Sequence, residues 1–191
     1  MAGTRRSADT KAAILAAART RFAAEGYRSA SLRAVARDAG VDAALVVRYF
    51  GSKPGLFAAA TDIDLRIPDL TDAPAGEHGT RLVEHFLSRW DPGTLEGQVL
   101  LSMLRSAASD VGAAAGMREL FGRQLVPALR HLIPEESEVP ARAAFVASQI
   151  LGLALTRSVL ELPPFDEMPP AVIAANVGAT IQRYLHDPLR P

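Results

Sequence analysis

Within residues 31–50, SLRAVARDAGVDAALVVRYF, cations, small residues and aromatics are spaced to meet double-stranded DNA. Ala43, Ala44 and Leu45 open a short apolar run in which small side chains allow close approach to base edges and thymine methyl groups. Arg48 and Tyr49 stand at its far end, where a guanidinium or phenol reaches phosphate, and Val47 lies beside them. Lys53 and the helix start that follows offer a second phosphate site. On the preceding helix Arg33 and Arg37 lie one turn apart, each within reach of the backbone or a guanine edge. Arg5 and Arg6 add charge from an N-terminal arm.

Those residues need two helices and a tight turn to hold them. Ser31 is placed to cap a helix beginning at Leu32, Gly40 to end it, and Asp42 to cap the next one through Phe50. Upstream, Ile14, Ala18 and Phe22 fall on one face of a first helix, capped by Asp9 or Thr10 and ended by Gly26. A fourth helix is expected from near Ser52, with Pro54 tolerated in its first turn, fading before Pro68.

The run from Thr10 to Phe57 resembles the N-terminal domain of TetR-type transcriptional regulators. Ile14, Ala18, Phe22, Gly26, Tyr27, Ser31, Val35, Ala36, Gly40, Val41, Phe50, Lys53, Leu56 and Phe57 carry the resemblance, without gaps. It implies an all-α homodimer with a three-helix helix-turn-helix head (residues 1–52) and a helical ligand-binding and dimerisation body (residues 53–191), about nine helices in all. It also implies a repressor that leaves a palindromic operator when a small molecule enters the body. Two positions depart from the pattern: Val47 stands where an aromatic is common, and Ala43 where Lys or another polar residue is common. The departures bear on which bases are read.

Charge agrees with that division of labour. Residues 1–57 hold ten Lys/Arg against four Asp/Glu, and the remainder eleven against seventeen. A basic head on an acidic body suits a polyanionic partner for the head alone. The absence of cysteine excludes disulfides and thiolate zinc sites and fits a reducing, cytoplasmic setting. Arginine and alanine richness with only two lysines hints at a GC-rich bacterial genome.

Beyond a loop at residues 66–79, helices are expected over residues 80–90, 95–110 and 113–132, the last kinked at Pro127. Residues 138–162 form the longest apolar stretch, and Gln149, Thr156 and Arg157 argue against its crossing a membrane. A helix apolar on all sides asks for burial on all sides. A second subunit would supply it through Leu151, Gly152, Leu155 and Val159 with Val177 and Ile181 of a last helix at 171–186; Gly178 would allow close approach. Phe86, Trp90, Met103, Met117 and Phe121 could line a pocket for an apolar effector, with Gln149 as a polar contact. Arg105 and Arg157 read as salt-bridge residues.

Catalytic constellations are missing. His78, His85, His131 and His186 lack metal-ligand spacing, and no GxSxG or phosphate-binding glycine loop occurs. The chain is therefore expected to be no enzyme and to need no cofactor. An activator on the same fold and an all-α small-molecule enzyme or carrier are the alternatives.

Overall fold

The computed structural model describes residues 2–189, with side chains from Ser7 onward. Arg5 and Arg6 therefore lie outside the described side chains. No strand occurs among the described residues. In chain order the helices are α1 (Ala2–Ser29), α2 (Leu32–Asp38), α3 (Ala43–Phe50), α4 (Lys53–Ala60) and α5 (His78–Arg89). They continue with α6 (Leu95–Ala107), α7 (Val111–Leu120), α8 (Val126–Arg130), α9 (Val139–Ser158) and α10 (Pro170–His186).

Local chemistry explains most of these boundaries. Gly26 adopts φ 75°, which breaks α1 before its last turn, and Gly40 adopts φ 66° at the corner after α2. Both angles are cheap only for glycine. Ser31, Asp42 and Ser52 cap α2, α3 and α4 through their side-chain oxygens. The fourth helix is shorter than expected, because Thr61 turns its hydroxyl back onto the Phe57 carbonyl and ends it. Residues 62–65, Asp-Ile-Asp-Leu, then alternate exposed and buried, the period of extended backbone.

The interruption expected at Pro127 falls one turn earlier. Phe121–Leu125 form a π turn, in which the Val126 N–H reaches the Phe121 carbonyl. Proline has no N–H for the carbonyl four residues back and its ring crowds that group, so the preceding turn widens.

The chain forms two compact units. The first comprises residues 1–63 and 92–117. In it α1 packs on α6, α4 and α2 around Ile14, Phe22, Val35, Leu56 and Leu100. Phe57 meets Phe22 edge-on at 4.9 Å and lies 4.6 Å from Tyr27. Ser102 donates to the Phe22 carbonyl at 2.6 Å, and Arg19 donates to Ala60 at the end of α4. Met103 and Met117 are buried in this unit, and Gly116 leaves room for the Met103 methyl.

The second unit comprises residues 64–91 and 118–191. Here α5 and α10 cross so closely that a Cβ on Gly79 would strike the Gly178 carbonyl, and one on Gly178 would strike the Thr80 backbone. Gly178 thus serves an intrachain crossing, in place of the intersubunit one expected of it. Ile181 is wholly buried in the same core (0% exposed), which removes it from any intersubunit surface. Arg157 donates to the Phe165 and Met168 carbonyls, pinning the loop after α9 where a salt bridge was expected, and Arg105 is exposed.

Residues 136–158 are long and apolar enough to cross a membrane. Within the fold their inward face is Arg142, Val146, Ile150 and Leu153, and α9 packs on α8 and α10.

Candidate nucleic-acid interface and effector cavity

The interface is built from α2, the Gly40 corner and α3. Ser31 Oγ accepts from the Ala34 N–H at 3.2 Å and Asp42 Oδ1 from the Ala44 N–H at 2.7 Å. Both side chains are therefore engaged in capping, which fixes where each helix starts. At the corner the Val41 N–H reaches the Ala36 carbonyl at 2.9 Å. Arg21 forks onto Asp38 and holds its carboxyl below the usual range, tying α1 to the end of α2.

Helix α3 shows two faces. Val46 is buried completely, while Val47 is 46% exposed with Ala44 and Arg48 beside it. Ala43 and Leu45 are half-buried, as is Leu32 on α2, and Arg33 and Arg37 are exposed. The Tyr49 hydroxyl lies 2.8 Å from Ser7 Oγ, with the Arg48 guanidinium over its ring. Lys53 Nζ donates to the Arg28 carbonyl at 2.9 Å and sits over the Tyr27 ring, so this cation also braces the unit. Lys11, which sequence reasoning passed over, lies with its ammonium 5.7 Å from the centre of the Phe50 ring. Its place three residues before Ile14 and seven before Ala18, on the same side of α1, was the available signal. The outer surface of α3 is thus small and apolar, flanked by exposed guanidinium groups. That pattern permits van der Waals contact in a groove and charge pairing at its edges.

The second unit holds a cleft of about 360 Å³, counting its mouth. Leu82, His85, Phe86, Arg89 and Trp90 of the α5 region form one wall, Phe121 and Leu125 of the π turn a second, and Ile150 of α9 a third. Leu65 and Ile67 close it from the extended segment. His85 Nε2 donates to the Leu65 carbonyl at 2.8 Å, Arg89 to the Asp64 carbonyl at 2.8 Å, and Gln124 accepts from the Leu65 N–H at 2.7 Å. Phe86, Trp90 and Phe121 were expected in such a pocket. Met103 and Met117 belong to the first unit and are not among its walls. Gln149 is half-buried and not a wall, and its neighbour Ile150 is. Leu82, His85, Phe86 and Arg89 recur at helical spacing on α5, a signal that could have identified that wall.

Of the surface assigned to dimerisation, Leu155 is 39% exposed, and Leu151, Gly152, Val159 and Val177 are partly exposed. Phe145, Leu160, Leu162 and Val172 are further exposed apolar residues of the α9–α10 region. Phe145 stacks on Tyr184 with ring centres 5.1 Å apart.

No cluster of three metal-ligating side chains occurs among the described residues.

Residues 14–60 match the family model for bacterial regulatory proteins of the tetR family. Residues 76–185 match that for the tetracyclin repressor-like C-terminal domain. A TetR-family regulator from Streptomyces coelicolor A3 is 32% identical over 92% of this chain and 94% of that one, with a TM-score of 0.64. A transcriptional regulator from Rhodococcus sp. Rha1 shares the fold at 23% identity over 87% and 95% of the two chains, TM-score 0.63. No curated protein matches the sequence.

Proposed function

Because this chain belongs to the TetR family of bacterial transcriptional regulators, we infer that it is a repressor that a small molecule releases from a palindromic operator. The observation that carries the reading is α3: a short, doubly capped helix with Val46 locked in the core and Ala44, Val47 and Arg48 turned outward.

In this reading residues 1–52 act as the DNA-binding head and residues 53–191 as the regulatory body. The head lays α3 in the major groove while α2 crosses the backbone. Ala43, Ala44, Leu45 and Val47 supply close apolar contact, and Arg33, Arg48, Tyr49 and Lys53 meet phosphates. Ser31 and Asp42 act by fixing the helix starts, and Leu32 by seating α2.

Two heads are needed to read a palindrome. The exposed apolar surface of Leu151, Gly152, Leu155, Val159 and Val177 supports a homodimer, since contiguous patches of this kind mark interaction sites. The effector reading rests on the cleft. Leu65 and Ile67 in its wall follow the end of α4 by only five and seven residues, so a guest touching them acts on the covalent continuation of the head. A coupling free energy of about 1–3 kcal/mol is enough to shift operator occupancy several-fold or more, provided the effector binds the two states unequally.

Selection of bound fragments from random duplex DNA tests the proposal. Enrichment of a twofold-symmetric motif, bound more weakly as salt rises, is the expected result. Failure to enrich any motif at low salt overturns it.

A further inference from the structure

Trp90 is the only tryptophan in the chain, and it forms part of the cleft wall. It is 3% exposed, yet its Nε1–H meets no acceptor among the described residues. Buried indole N–H groups normally have a partner, and a buried donor left alone costs about 1–3 kcal/mol. Of the two other polar wall residues, His85 donates through Nε2 to the Leu65 carbonyl and Arg89 through Nη2 to the Asp64 carbonyl. Most of the remaining wall is hydrocarbon, with the Phe86 ring 4.8 Å from that of Trp90.

We propose that this cleft takes a small, mainly apolar molecule bearing one carbonyl oxygen, which accepts a hydrogen bond from Trp90 Nε1–H. The proposal rests on the reading of the second unit as the effector-binding part and specifies the chemistry of its ligand. A hydrocarbon would fill the same space and leave the indole unpaired. A carbonyl compound of the same shape gains the bond and removes the cost, which separates the two by about tenfold or more in affinity.

The test uses the full chain and two matched pairs: 4-tert-butylcyclohexanone against tert-butylcyclohexane, and 2-acetylnaphthalene against 2-ethylnaphthalene. With one tryptophan, the indole N–H gives a single, self-identifying cross-peak in a ¹H–¹⁵N spectrum. At least one ketone is expected to move that peak downfield and to bind about tenfold tighter than its hydrocarbon. In Trp90→Phe, which keeps an aromatic wall and loses the donor, that preference falls to about twofold or less. Ketones that leave the peak in place, pairs that bind alike, or a preference that survives Trp90→Phe each overturn the proposal. The wild-type spectrum decides the matter even if the variant folds poorly. Operator affinity measured with the same ketone separates the two readings. A shifted peak with unchanged DNA binding upholds the ligand chemistry and sinks the regulatory role; operator release by a ligand that leaves the peak unmoved does the reverse.

Discussion

The two units differ in where they keep their charges. In the first, the buried polar side chains are the hydroxyls of Thr61, Ser102 and Ser106, and the arginines of α2 and α3 lie outside. In the second, Arg142 and His78 are 5% and 6% exposed. Arg142 donates to the Tyr184 and Asp187 carbonyls and pairs with Glu138. His78 meets His186 at 3.0 Å and the Ala73 carbonyl at 3.1 Å. Charges turned outward are available to a partner. Polar groups turned inward have their partners inside the fold and tie helix ends together, here the start of α9 to the end of α10 through Arg142, and the start of α5 to the same end through His78. The contrast fits a head that works by contact and a body that holds a cleft in shape.

The most severe test of the contrast is Arg142→Ala. It strands Glu138 and two carbonyls and should cost about 3 kcal/mol in urea unfolding, the low end for a broken buried pair because Glu138 is partly exposed. A change below about 1 kcal/mol, typical of surface sites, would mean that the inward charges are not structural. Next comes Arg48→Glu on the outer face of α3. It should weaken operator binding by about 100-fold with no shift in melting temperature, since it exchanges attraction to phosphate for repulsion. Fluorescence anisotropy with labelled operator checks it; an equal loss of stability would place Arg48 among the structural charges.

Gly79→Ala probes the α5–α10 crossing. The added methyl meets the Gly178 carbonyl, and the cost should be about 1–3 kcal/mol by thermal or urea denaturation. The smallest effect concerns pH. Burial, then the neighbouring His78 and Arg142, lower the pKa of His186, with Asp187 opposing them. A depressed histidine favours the neutral form in the folded chain. Its contribution is therefore complete above the ordinary value near 6.5 and is lost as pH falls through the lower folded value. Melting temperature should decline from pH 7.5 to pH 5, and His186→Asn should flatten that decline. An unaltered slope would separate this pair from the acid sensitivity of the fold.

The legible parts of the molecule were those set by near neighbours. Ser31, Asp42 and Ser52 announce helix starts because a cap acts within three residues. Ile14, Ala18 and Phe22 announce a buried face because helical periodicity needs no partner to be seen. The outward set on α3 follows from the same counting. Legibility failed where two residues distant in sequence had to meet. Gly178 looked free for a second subunit, and Gly79 is what it meets. Met103 and Met117 looked like pocket residues, yet they are buried in the core of the first unit. Ile181 looked like interface and is interior.

The amino-acid order alone determined the helical class, the capped turn at Gly40 and the basic bias of the first 57 residues, since propensity, capping and charge are local or additive. Only the tertiary structure decided which apolar side chains became core and which became cleft. It also decided that Arg142 and His78 would turn inward, and that the Trp90 N–H would be buried without an acceptor among the described residues. Those outcomes depend on which helix faces meet, and a pattern within one helix does not encode the identity of the face that will cover it.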